Sequence, residues 1–65
     1  MHPKDSEIYP KGSKVRLKKS GKTAVIVSHG FQFEGKGFLH YLAEIEGREG
    51  RYALYHDDLE LVSLP

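Results

Sequence analysis

The sequence predicts an all-β fold of five short strands, and three features of its 65 residues support this. Apolar and polar residues alternate over residues 14–18 and again over 38–46, which is the pattern of a strand with one buried face. Residues 22–28 are rich in β-branched side chains, which favour strands. Glycine-containing turn signals at residues 20–21 and 47–50 separate these segments. A helix over 38–46 is the alternative, but nine residues without caps are too short to support it.

The first ten residues show no apolar periodicity, and they contain two prolines and several charges. We therefore expect a flexible tail at residues 1–10 and a single domain at residues 11–65. The first strand follows at 14–18. The second, at 22–28, is expected to be buried on both faces or sharply bent. Residues 28–37, which contain three glycines, form the longest predicted loop.

The second half of the sequence predicts a hairpin and a last strand. Residues 38–46 and 51–55 are the arms of the hairpin, and a tight turn at 47–50 would place Ile45 opposite Tyr52. His56-Asp57-Asp58 favours a short turn or a 3-10 helix before a strand at 59–62. The inward-facing positions give the predicted core: Val15, Leu17, Val25 or Ile26, Val27, Leu39, Tyr41, Ala43, Ile45, Tyr52, Leu54, Leu59 and Leu61.

Three segments resemble the frame of the SH3-like small β-barrel superfamily. They are Lys11-Gly-Ser-Lys-Val-Arg-Leu17, Ser20-Gly-Lys-Thr-Ala-Val-Ile-Val27 and Tyr55-His-Asp-Asp-Leu-Glu-Leu-Val62. That superfamily includes KOW-type domains and small subunits of bacterial or photosynthetic complexes. The resemblance implies a single five-stranded barrel and a role in binding. Ala24 stands where the KOW pattern has a glycine, so RNA binding is not carried over with it.

Composition restricts the possible functions. The chain has no cysteine, so a disulfide or a thiolate metal site is excluded, and this composition suits a reducing cytoplasm. Its longest aliphatic run is four residues, so we expect neither a signal peptide nor a membrane span. The four histidines lie at spacings that match no metal signature, and we expect no metal or other cofactor.

No catalytic residue is predicted either. The residues of His56-Asp57-Asp58 would point to alternate faces if they were part of a strand, and an aspartate that caps a turn is the simpler interpretation. The Gly-Lys-Thr at residues 21–23 lacks the earlier glycine and the following helix of a phosphate-binding loop. We therefore expect a protein that is not an enzyme. The third and last hypothesis is a small oligomeric enzyme whose site forms only at a symmetry axis between copies of the chain.

Charge is unevenly distributed, although the net charge is only +1. Residues 1–22 contain seven basic and two acidic residues, whereas residues 23–65 contain three basic and seven acidic ones. The basic side chains around the first two strands are expected to be their solvated face. Alternatively, they form a strip that binds nucleic acid through its phosphates. The residues of this basic strip are Lys14, Arg16, Lys18, Lys19 and Lys22.

The first hypothesis for function is the binding of a partner protein through the aromatic loop 28–38. Phe31 and Phe33 are spaced to point the same way, and neighbouring glycines would keep the loop adaptable. Tyr41 and Tyr55 are expected to lie beside them and to complete an aromatic surface. Phe38 is expected instead to close one end of the barrel. The sequence does not identify the partner, and it is compatible with a monomer or a weak homo-oligomer.

Overall fold

The computed structural model describes residues 8–31 and 38–65, and these residues form five antiparallel strands in one sheet. A 3-10 helix at His56–Asp58 precedes the last strand. The all-β prediction and the predicted turn before the last strand are confirmed, and the helical alternative for residues 38–46 is excluded. The strands are β1 (Lys14–Leu17), β2 (Thr23–Phe31), β3 (Phe38–Ile45), β4 (Tyr52–Leu54) and β5 (Leu59–Ser63).

The order of strands in the sheet is β4-β3-β2-β1-β5, so β4 and β5 are its two edges. No backbone pairing joins β4 to β5 within the described parts of the chain, and the sheet is not closed by hydrogen bonds there. The 3-10 helix carries the chain from one edge to the other. Its position is fixed on the β1 side, because the backbone N–H of Lys18 donates to the carbonyl of Asp58 at 3.0 Å.

β2 is longer than the sequence predicts, because a register shift lets the strand continue. Ile26 pairs with Ala43 and Ser28 with Leu42, so Val27 is an extra residue without a directly opposed partner on β3. This irregularity breaks the alternation that sequence reasoning relies on. The predicted loop 28–37 is therefore wrong for residues 28–31, which belong to β2. Phe31 pairs with Phe38, and residues 32–37 lie outside the described residues.

The core lies on one face of the sheet, and most of the predicted core is confirmed. On β2 the choice between Val25 and Ile26 is resolved, because Ile26 is buried and Val25 is 42% exposed. Val27 is only half-buried at the register shift, whereas Ala24, which was not predicted, is in the core. Leu61 is also wrong as a core residue, because it lies on an edge strand and is 42% exposed. The buried residues are Val15, Ala24, Ile26, Tyr41, Ala43, Ile45 and Leu59, with Leu17, Tyr52 and Leu54 packed against them.

The predicted hairpin between β3 and β4 is present, but its register differs. Tyr52 pairs with Ala43 rather than with Ile45, which instead pairs with Ala24 on β2. The connection is wider than a tight turn, because residues 46–51 lie between the strands and Gly47 and Gly50 both have positive φ, at 81° and 89°. A shift of two residues keeps each side chain on its predicted face.

The predicted tail requires a correction at its C-terminal end. Residues 1–7 lie outside the described residues, but Ile8 and Tyr9 are half-buried and pack against the core. The backbone of this segment is also held, since the N–H of Ser13 donates to the carbonyl of Pro10 at 3.1 Å. The packed part of the chain therefore includes residues that precede residue 11. Sequence periodicity missed them because the segment belongs to no strand.

Candidate binding site

The residues of the predicted aromatic surface have different positions in the structure. Phe31 is the last residue of β2, but its side chain is not among the described parts of the structure. Phe33 lies outside the described residues. Tyr41 is fully buried, so as it stands it cannot touch a partner. Tyr55 is 53% exposed. The structure therefore leaves Tyr55 as a surface residue and removes Tyr41 from the predicted binding surface.

Tyr41 is instead the buried centre of a partly buried polar cluster. Its hydroxyl oxygen accepts the backbone N–H of Tyr9 at 3.0 Å and lies 2.8 Å from Nδ1 of His56. The Tyr9 carbonyl can only accept, so Nε2 of His29, at 2.8 Å from it, donates that bond. We call these four residues, Tyr9, His29, Tyr41 and His56, the tyrosine cluster. Burial raises the pKa of the Tyr41 hydroxyl above its ordinary value, because the tyrosinate would be desolvated.

Ring contacts complete the tyrosine cluster. The Tyr9 ring stacks on the Tyr41 ring with centroids 5.6 Å apart and an angle of 9° between the planes. The ring of His56 lies 4.8 Å from that of Tyr9, and the ring of His29 lies 5.6 Å from that of Tyr41. Two of the four histidines that sequence analysis considered as metal ligands, His29 and His56, thus act here as hydrogen-bonding partners. The cluster fixes the segment that precedes β1, which is a structural role.

An apolar groove lies where the two edges of the sheet approach each other, and we call it the edge groove. Its volume is about 130 Å³. Leu17 and Leu59, which are directly paired between β1 and β5, lie on one side of it, and Ala53 and Leu54 of β4 lie on another. The edge groove is lined by Leu17, Lys19, Ala53, Leu54, Tyr55, Asp58 and Leu59.

Tyr55 connects the edge groove to the end of the β2–β3 hairpin at which β2 ends and β3 begins. Its ring makes an edge contact with the ring of His40 at 6.2 Å between centroids. His40 in turn pairs with Gly30 and covers it so closely that a Cβ at Gly30 would lie 2.3 Å from the ring. With the His40 ring in this position, only glycine fits at residue 30. The pair Phe31–Phe38 follows immediately.

The basic strip is exposed, but it is not uniformly positive. All five of its residues are on the surface. Arg16 lies 4.0 Å from the carboxylate of Glu60 on β5, and Thr23, which is opposite Arg16, donates a hydrogen bond to Glu46 at 2.7 Å. Acidic residues therefore border the strand part of the strip. Among the described residues, no ion pair involves the three lysines of the β1–β2 turn, which are Lys18, Lys19 and Lys22.

The remaining chemistry of the described residues is limited. No three histidine, aspartate or glutamate side chains in the described part of the chain converge as metal ligands would. The described residues also contain no helix with the length and apolar character needed to cross a membrane. Comparisons of the chain with protein-family models, curated proteins and solved structures found no match. The case for a function therefore depends on the edge groove and its surroundings.

Proposed function

We propose that this protein is a small interaction module of SH3-like barrel type that binds a partner protein and performs no catalysis. The observation that carries the proposal is the exposed ring of Tyr55 beside an apolar groove at the edge of the sheet. Exposed aromatic residues next to apolar pockets are typical anchors of protein interfaces. In the tyrosine cluster, by contrast, the central Tyr41 is buried and its hydroxyl is already hydrogen-bonded.

The proposed binding surface has two parts. The first is the edge groove with Tyr55. The second is predicted from the sequence: it consists of Phe31 and Phe33, whose side chains lie outside the described residues. Residue 31 follows Gly30, which pairs with His40, and the ring of His40 contacts Tyr55. A partner that covers both would bury aromatic and aliphatic side chains from strands that are far apart in the sequence.

The experiment compares Tyr55→Ala with Val25→Ala in capture of a partner. Val25 is a suitable control because it is also an exposed apolar residue, at 42%, but it does not line the edge groove. The bait is immobilised and used on nuclease-treated lysate, and the captured protein is then purified and titrated. We expect Tyr55→Ala to weaken binding about thirtyfold, which corresponds to an anchor worth about 2 kcal/mol. Val25→Ala should change it less than twofold, and equal effects would contradict the proposal.

The second candidate function is nucleic-acid binding, and the three lysines of the β1–β2 turn favour it. Their ammonium groups have no ion-pair partner among the described residues, so they are available to phosphates. A salt titration separates the two functions. Binding through phosphates weakens steeply as salt rises, whereas binding through Tyr55 and an apolar groove does not. If Lys18→Glu with Lys19→Glu abolishes binding and Tyr55→Ala leaves it unchanged, nucleic-acid binding replaces the first proposal.

A further inference from the structure

The outer face of the sheet, opposite to the core, has basic side chains on one strand and acidic side chains on another. Val15, Ala24 and Ile45 are paired across β1, β2 and β3, and all three are buried on the core face. Since successive side chains of a strand point to opposite faces, the neighbours of these residues lie on the outer face. We call six of them the outer patch. They are Lys14 and Arg16 of β1, Thr23 and Val25 of β2, Glu44 of β3 and Glu46 directly after β3.

The first row of the outer patch runs across three strands. Lys14 is paired with Val25, and Val25 is paired with Glu44, so the apolar side chain separates the two charges. Both charged side chains are exposed, and neither forms an ion pair within the described parts of the chain. Val25 is 42% exposed although it lies on the central strand of the sheet. The row therefore presents a cation, an apolar group and a carboxylate to a molecule that lies over it.

The second row repeats this order of charges. Arg16 is paired with Thr23, and the Thr23 carbonyl accepts the N–H of Glu46 at 2.9 Å. Arg16 lies 4.0 Å from the Glu60 carboxylate, and both of these side chains are exposed. An exposed ion pair of this kind is weak, so Arg16 remains available to a second carboxylate. The outer patch is thus basic along β1, uncharged along β2 and acidic along β3 and its end.

This order of charges is complementary to itself about one twofold axis. A half-turn about an axis that lies over the outer patch and runs parallel to β2 places β1 of a second copy over β3 of the first. Positions along the strands are unchanged, so Lys14 of each copy faces Glu44 of the other, and the two Val25 side chains meet at the axis. An axis that crosses the strands would instead place β1 over β1, where like charges face each other. The charges therefore favour the first axis, which gives an isologous contact.

We propose that the outer patch is the contact surface of a symmetric homodimer in which β1 of each copy lies over β3 of the other. The occupant is a second copy because the surface that complements the outer patch is present on the same chain. Two sheets that pack face to face lie about 10 Å apart, which facing lysine and glutamate side chains can span. The outer patch shares no residue with the lining of the edge groove, so this inference does not depend on the proposed function.

The test measures self-association of the full-length protein by sedimentation equilibrium. The concentration series extends to about 1 mM, where weak specific association is still detected. The salt concentration is about 50 mM, at which screening is modest. Lys14→Glu and Glu44→Lys are made as separate variants, because neither residue has an ion-pair partner within the described parts of the chain. Each substitution makes two attractive contacts of the dimer repulsive, so each variant should associate with itself about tenfold more weakly than the unaltered protein.

An equimolar mixture of the two variants is the decisive sample. In a mixed dimer both contacts of the first row again join opposite charges, so the variants should bind each other about fivefold or more tighter than either binds itself. Lys19→Glu and Glu49→Lys are the matched controls, because they make the same changes in net charge at exposed residues outside the outer patch. Each control should change self-association less than twofold, and their mixture should show no comparable gain.

Several outcomes would overturn the inference. One is an unaltered protein that stays monomeric over the whole concentration series. Another is a control pair that weakens and recovers as the patch variants do, because net charge would then explain the effect. A dimer that Tyr55→Ala weakens and Lys14→Glu does not would place the contact at the edge groove instead. Circular dichroism shows whether each variant folds. If a patch variant does not fold, Lys14→Gln or Glu44→Gln takes its place and should weaken self-association about threefold.

Discussion

Two tyrosines near the β3–β4 hairpin, Tyr41 and Tyr55, have opposite environments. Tyr41 is fully buried in the tyrosine cluster, and its hydroxyl contacts Tyr9 and His56. Tyr55 is 53% exposed and borders the edge groove. Because a buried hydroxyl must be hydrogen-bonded, the buried Tyr41 contributes to the stability of the fold. The exposed Tyr55 ring can instead be desolvated when a partner binds. The same residue type therefore stabilises the fold at residue 41 and is available for binding at residue 55.

The largest difference is expected when each of these tyrosines is replaced by alanine. Tyr41→Ala removes a fully buried aromatic side chain and should lower the free energy of unfolding by about 3–5 kcal/mol. That is a large part of the stability of so small a domain. Tyr55→Ala, at the surface, should change it by less than about 0.5 kcal/mol. Urea unfolding of the two variants measures both values, and similar losses would show that Tyr55 also supports the fold.

Tyr9 tests how firmly the segment before β1 belongs to the tyrosine cluster. Tyr9→Ala removes the stacked ring but keeps the backbone bonds to Tyr41 and His29, so the expected loss is about 1–2 kcal/mol. Urea unfolding gives the value. Deletion of residues 1–9 removes those backbone bonds as well and should cost more than the single substitution. An unchanged urea midpoint for both variants would support the original prediction that residues 1–10 are a flexible tail.

How much of the fold the sequence could predict depends on how regular each strand is. Alternation identified β1, β3 and their inward faces, because these strands are regular and have one buried side. It failed at Val27, where a register shift changes the phase and carries β2 on to Phe31. It placed Tyr41 in the core, which the structure confirms, so naming Tyr41 also as a binding residue beside Tyr55 was wrong. What alternation could not show is the packing of Tyr9 and His56 on Tyr41, because they come from distant parts of the chain.

The basic strip shows the same limit for the candidate site. Sequence analysis found all five exposed residues, since a run of charges around a turn is visible without a structure. It could not find the edge groove, because Leu17, Leu54 and Leu59 come from three strands that meet only in the folded chain. All three were predicted as core residues. Their apolar character suits a groove lining equally well, and only the packing shows that the groove is open.

Alkaline pH should destabilise the protein through Tyr41. Its pKa is raised in the folded state, so the folded chain holds this proton more tightly than the unfolded chain, in which the ordinary value is 10.0. The stability that this group contributes is complete below pH 10 and is lost as pH rises through the raised folded pKa. Tyr41→Phe should be less stable at neutral pH but should lose less stability above pH 10. Urea midpoints of both proteins from pH 8 upward measure this, and parallel curves would contradict it.

The smallest effect is expected at Gly30, where the ring of His40 covers the backbone. A Cβ at residue 30 would lie 2.3 Å from the ring, so Gly30→Ala must push the His40 side chain aside. Because a histidine ring can rotate away, we expect a loss of only about 1 kcal/mol, at the lower end of the cost of overpacking. The loss should be smaller in a chain that also carries His40→Ala, where the ring is absent. Displacing His40 also breaks its edge contact with Tyr55, so the Tyr55 ring signals should shift in the NMR spectrum of Gly30→Ala. If Gly30→Ala costs as much with His40→Ala as without it, the clash is with the backbone, and His40 does not connect the β2–β3 hairpin to the edge groove.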